Sequence, residues 1–126
     1  MKKVRTAKAP GAFGPYSQAI DAQGMVFCSG QVGVDPQTKQ LADGVEAQAE
    51  QALRNLAAVL EAAGLRLTDV VKTTIWLTDA ADFSTVNAVY AKYFGDPAPA
   101  RSAPVVAAIP FKGARISIEA IAVRPA

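Results

Sequence analysis

Between Asp43 and Gly64 the apolar residues Val45, Ala49, Ala52, Leu53, Leu56, Leu60 and Ala63 recur three and four positions apart, the spacing of one face of an α-helix. Asp43 followed by Glu46 has the form of a capping box and Gly64 that of a C-terminal stop, so a helix is expected between them. Glu50 and Arg54, four apart, are expected to pair on its outer side. A second helix is expected from Asp79, burying Phe83, Val86, Tyr90 and Phe94 and ending at Gly95 with Pro97 beyond. The remaining apolar segments carry strand signals. "VRT" near the start reads as a short strand and "APGAFGPY" as a turn-rich loop. "SQAIDAQGMVFCSGQV" reads as two strands joined at "DAQG", with Gly30 and Gly33 marking a bulge or a close backbone approach. "LTDVVKTTIWL" is rich in β-branched residues, and "RSAPVVAAI" and "ARISIEAIAV" supply the last two strands. The order β-β-β-α-β-α-β-β predicts an α+β fold with both helices on one face of the sheet, in a single domain over residues 1–126.

Several polar residues break this pattern. Asn87, four after Phe83, falls on the buried face of the second helix, as a satisfied amide or as a group reaching a cleft. In "ARISIEAIAV", alternation puts Ser117, Glu119, Ile121 and Val123 on one face and Ile116, Ile118, Ala120 and Ala122 on the other. Both faces are apolar enough to suggest burial on both sides, so Glu119 needs a partner, structural or catalytic. Tyr16 follows Gly14-Pro15 in a loop, where it either packs or closes a pocket. Cys28 reads as a small buried hydrophobe and Trp76 as a core or interface residue. Arg101 is the one charge in "APARSAPVVAAIP". Its planar fork suits a single carboxylate, either that of Glu119 in a salt bridge or that of a bound small acid.

Composition narrows the chemistry. The chain has no histidine, which removes Ser-His-Asp and Cys-His catalysis and every Cys/His zinc site, and no metal is expected. One cysteine excludes an intrachain disulfide. Thirteen basic and eleven acidic residues are scattered without a stripe, which argues against a nucleic-acid platform. "MKKVRTAKAPGAFG" lacks the apolar core of a signal peptide and no 18-residue apolar run exists, so a soluble cytoplasmic protein with no membrane contact is expected. A chain this small with 51% apolar residues is expected to hide surface between subunits as well as in its core.

The segments "APGAFGPYSQAI", "VFCSGQVGVDPQT", "EAAGLRLTDVVKTTIWLTDAADFSTVNAVY", "PARS" and "EAIAV", in order from about Ala9 to Val123, resemble the Rid family (RidA/YjgF, reactive intermediate deaminases). The resemblance implies a homotrimer of chorismate-mutase-like subunits, a mixed sheet with two helices on one face, and clefts between neighbours. It implies 2-iminobutanoate/2-iminopropanoate deaminase activity, the hydrolysis of enamines and imines of 2-oxo acids to the oxo acid and ammonia, with no cofactor. By matching motif, Arg101 grips the substrate carboxylate and Tyr16 closes the cleft, from one subunit onto a site built mostly by another. Ser29 and Gly30 offer hydroxyl and backbone groups, Asn87 supports the pocket, and the backbone of Ala103 meets the imine end.

Three departures accompany the resemblance. Ala103 stands where the family often has cysteine or threonine. Ser117 stands where deaminating members carry the first acid of I-E-I-E-A, the one assigned to the hydrolytic water, leaving Glu119 as the only acid of the pair. The turn "PFKGAR" is one residue longer than usual, which would reverse the faces of Ser117 and Glu119 if the register slipped by one. The deaminase reading, with Arg101, Ser117 and Glu119 as catalytic candidates, therefore stands beside a non-catalytic small-carboxylate-binding or regulatory homologue. An endoribonuclease or translation inhibitor is a third reading, disfavoured by the missing histidine and basic stripe.

Overall fold

Gln23 and Gly24 both take the left-handed backbone region (φ 53° and 77°), so β2 (Ala19–Ala22) reverses into β3 (Met25–Val32) through the two-residue turn that "DAQG" foretold. The computed structural model describes residues 1–126. β1 (Lys2–Val4), β4 (Val70–Leu77), β5 (Ala100–Ser102) and β6 (Ile116–Val123) complete a mixed six-stranded sheet of order β1-β2-β3-β6-β4-β5. Every neighbouring pair is antiparallel except β4 and β5. α1 (Val45–Ala62) lies along β3 and β6, and α2 (Phe83–Tyr90) packs beside α1. Leu53, Leu56, Val59 and Leu60 of α1 bury with Val86 and Val89 of α2 against Val26, Ile75, Leu77, Ile116 and Ile118 of the sheet. The α+β architecture is the one expected. No helix is long and apolar enough to cross a membrane.

The helix ends differ from expectation. α1 is capped by Gly44, at φ 87°, with no side-chain hydrogen bond, so Asp43 makes no capping box. Asp79 caps a 3₁₀ turn over Ala80–Asp82 by accepting from Ala81 N at 2.9 Å, and α2 begins only at Phe83. Phe83 thus sits on the first turn and is 42% exposed rather than buried. Glu50 does not pair with Arg54: its carboxylate accepts from Lys92 Nζ and Tyr93 Oη, tying α1 to the turn after α2. Those two donors hold the Glu50 carboxyl below its usual range.

Of the expected strand "RSAPVVAAI" only Ala100–Ser102 pairs regularly. Pro104 has no N–H for the ladder, so its carbonyl accepts from Leu77 N (3.0 Å) while Val106 N donates to Leu77 O (2.8 Å). β6 alternates as read: Ile116, Ile118, Ala120 and Ala122 are all buried in the core. Ser117 and Glu119 thus keep the face on which the alternation put them. Gln48 of α1 holds the turn before β6, accepting from Arg115 N at 2.8 Å and donating to Gly113 O at 3.3 Å. Arg115 also forks onto Asp82 at 2.7 and 3.2 Å. A β-carbon on Gly33 would stand 2.5 Å from the Gln48 backbone, so that glycine lets α1 approach β3. The opposite face of β6 is not covered within one chain: Ser117 is buried, Glu119 and Ile121 are half-buried, and Val123 is exposed beside Phe27.

Candidate functional site

The bulge in β3 between Cys28 and Gln31 leaves Ser29 and Gly30 without register partners on β6. They form one wall of a cleft of about 460 Å³. Ser117 forms its floor, Phe13 and Tyr16 a second wall, and Ile109–Phe111 a third. A β-carbon on Gly30 would stand 2.7 Å from Ser117 Oγ, so only glycine leaves the hydroxyl in place. Ser29 Oγ donates to Ser17 O at 2.6 Å and thereby fastens the bulge to the loop that carries Tyr16. Gln18, buried, holds the same loop: its Oε1 accepts from Thr6 N (2.8 Å) and its Nε2 donates to the carbonyls of Thr6, Ala9 and Pro10. Tyr16 is 46% exposed, and its hydroxyl accepts from Phe13 N at 3.1 Å.

Arg101 lies elsewhere. It pairs in register with Thr73, whose side chain faces the helices, so Arg101 points to the helix side of the sheet. Its guanidinium carbon stands 4.8 Å from the ring centre of Tyr90 and 5.5 Å from that of Phe83. The stacking is favourable and leaves the in-plane N–H fork free for an anion. The ion pairs of the chain join Lys8 to Glu61, Lys92 to Glu50, Arg115 to Asp82 and Arg124 to Asp21; Arg101 is in none of them. Thr73 Oγ1 and the Tyr90 hydroxyl share a hydrogen bond at 2.8 Å, which fixes the ring beneath the guanidinium. Asn87, between Phe83 and Tyr90 on the same helix face, has a buried Oδ1 with no hydrogen-bond partner in the chain. Ala103 packs partly against the core on the Arg101 side.

The alternative of an Arg101–Glu119 salt bridge is not what forms. Glu119 Oε1 accepts from Trp76 Nε1 at 3.1 Å on the other face of the sheet. Thus Tyr16, Ser29, Gly30 and Ser117 come together in one cleft, Arg101, Asn87 and Ala103 gather on the opposite face, and Glu119 lines neither. Two strand spacings of about 4.8 Å and three residues of about 3.3 Å separate the Cα atoms of Arg101 and Ser117, roughly 14 Å. Cys28 takes no part: it is 4% exposed, and burial pushes its thiol up to about 12.

Sequence reasoning missed Phe83 as an arginine platform, because an aromatic at helical spacing reads as core. The signal was present in Phe83, Asn87 and Tyr90, spaced to share one face that carries an amide between two rings. It also missed the Trp76–Glu119 bond, which depends on the β4–β6 register that sets Trp76 opposite Ser117 and Thr74 opposite Glu119.

A family model described as Endoribonuclease L-PSP matches residues 6–124. A human protein named 2-iminobutanoate/2-iminopropanoate deaminase is 52% identical over 122 residues, covering 96% of this chain and 88% of its own. A Salmonella typhimurium protein of the same name is 50% identical over 126 residues, covering 98% of each. The crystal structure of Escherichia coli TdcF with bound serine superposes with a TM-score of 0.95 at 44% identity, covering 99% of this chain and all of the other.

Proposed function

The chain belongs to the Rid family, and from that premise we propose that it hydrolyses 2-iminopropanoate and 2-iminobutanoate, with their enamine tautomers, to 2-oxo acids and ammonium. The observation that carries the reading is Arg101, stacked on Tyr90 and Phe83 with its fork unpaired. Its planar fork suits a carboxylate supplied from outside the chain.

The chemistry asks little more of the protein. An iminium carbon is already electrophilic: water adds to it, the resulting carbinolamine transfers a proton to nitrogen, and the C–N bond breaks to leave the carbonyl and ammonium. No cofactor is needed for this hydrolysis. The carboxylate grip fixes the reacting carbon, and such positioning can supply several kcal/mol of the barrier. In this reading the Ser29–Gly30 bulge and the Ser117 hydroxyl bound the water from one side, and Tyr16 closes the cleft. Ser117 both donates and accepts hydrogen bonds, yet at neutral pH it is a weak base. Proton transfer therefore falls to the substrate amine and solvent, at a cost in rate of up to roughly 10²–10⁴-fold against a positioned acid.

Since Arg101 and the cleft lie on opposite faces of one sheet, the reading includes a homotrimer in which the arginine of one copy, with Asn87 and the Ala103 backbone, faces the Gly30–Ser117 cleft of the next. The exposed Phe27 and Val123 on the uncovered face support burial against a neighbour. The cytoplasmic setting expected from the sequence is kept as part of this reading. The activity is tested by generating 2-iminopropanoate from alanine with an amino-acid oxidase and following ammonia and pyruvate. Acceleration over buffer at micromolar protein is expected. Binding of 2-oxobutanoate with no acceleration would favour the non-catalytic carboxylate-binding reading, which the serine at position 117 motivates.

A further inference from the structure

Ser117 touches a second space besides the cleft. A depression of about 280 Å³ is lined by Trp76, Val106, Ala108, Ile109, Pro110 and Ser117. Ile109, Pro110 and Ser117 also line the main cleft, so the two spaces share a wall and meet at the serine. The indole of Trp76 is anchored by Glu119, whose Oε1 accepts its N–H at 3.1 Å. Trp76 also stands directly opposite Ser117 in the β4–β6 register. Apart from Ser117, every lining residue has an apolar side chain or an aromatic ring.

We propose that this depression is the pocket for the substrate's side chain, and that Ser117 with Trp76 sets the protein's preference for 2-imino acids bearing a branched aliphatic or aromatic group. The inference rests on the deaminase reading above and narrows its substrate class. Its geometry is simple. A 2-imino acid has three groups on its reacting carbon: the carboxylate, the imine nitrogen and the side chain. With the carboxylate on arginine and the imine over Gly30 and Ser117, the third group leaves across Ser117. There a short side chain opens the way to the indole, where an acid would fill the passage and place a charge against apolar carbon. A volume of about 280 Å³ is close to the lower end of the roughly 300–1,000 Å³ of whole small-molecule sites, ample for one side chain. Each methylene moved from water onto such a surface is worth roughly fourfold in binding. The three extra carbons of an isobutyl group over a methyl therefore give at least about tenfold even when partly exposed.

Imines generated in place from leucine and from alanine are to be compared by kcat/KM, in the wild-type protein and in Ala108→Phe, which fills the pocket from an exposed position. A leucine-to-alanine ratio of ten or more that falls at least tenfold in the variant is expected. A ratio near one in both proteins, with the alanine-derived imine hydrolysed, overturns the pocket and leaves the deaminase reading standing. Binding is read independently of turnover, because Trp76 is the only tryptophan. 4-Methyl-2-oxopentanoate is expected to shift its fluorescence at lower concentration than pyruvate does. If no imine is hydrolysed, the deaminase reading fails, and this fluorescence comparison decides the pocket alone: equal or absent responses to the two oxo acids reject it.

Discussion

Gly30 and Ser117 face each other across β3 and β6 with no room for a β-carbon, which would stand 2.7 Å from the serine Oγ. The serine occupies the floor of the cleft only because its neighbour is glycine. Gly30→Ala is expected to turn the Ser117 hydroxyl away and lower kcat/KM at least tenfold. The atom displaced ends a rotatable side chain, so the loss of stability should stay below the roughly 1–3 kcal/mol of overpacking a rigid core. Paired kinetics and thermal melts check this. A large fall in Tm with unaltered kcat/KM would show that the contact serves packing alone.

Arg101 contributes stacking to the fold but no ion pair. Arg101→Gln is expected to weaken 2-oxobutanoate binding by roughly 10–100-fold, the worth of a charged hydrogen-bonded contact. Arg101→Lys keeps the charge and loses the fork, and should recover only part of that affinity. Stability should fall by no more than about 1 kcal/mol in either, the range of an exposed cation–π contact. Titration calorimetry and melting curves measure the two effects separately.

The Cys28 thiol, raised by burial from 9.0 to about 12, makes the fold alkali-sensitive. Well below pH 9 the thiol is protonated in both folded and unfolded chains and contributes no pH dependence to stability. Above pH 9 the unfolded chain ionises first, so stability drains away as pH rises toward 12. Cys28→Val should flatten the fall in denaturation midpoint between pH 9 and 11. The native thiol should also react with a disulfide reagent far more slowly at pH 8 than the unfolded one.

Much of the fold was legible because its signals are local. The α1 stripe, the Gln23–Gly24 turn, the β6 alternation and the burial of Cys28 each follow from a few adjacent residues. Errors fell where a distant segment decides. The exception is local: Asp43 matched a capping motif, but Gly44 begins the helix by its own backbone conformation. Phe83 looked like core because the arginine that covers it arrives 18 positions later on β5. Glu119 wanted a partner, and the sequence offered Arg101; strand order put Trp76 on its face and sent the arginine to the other. Of the candidate site, the residue types were readable. Their division between two faces of the sheet was not, since that follows from the parallel pairing of Thr73 with Arg101.

That division is open to a direct measurement. In the proposed trimer Arg101→Gln removes the clamp and Gly30→Val fills the cleft, and each variant alone should hydrolyse 2-iminopropanoate at under a hundredth of the wild-type rate. Unfolded together in equal amounts and refolded, the two chains assort at random, and about a quarter of the sites then join an intact arginine to an intact cleft of the neighbouring copy. The mixture is expected to regain about that fraction of wild-type activity. A mixture as inactive as its parents, from trimers shown to contain both chains, would contradict a site shared between copies.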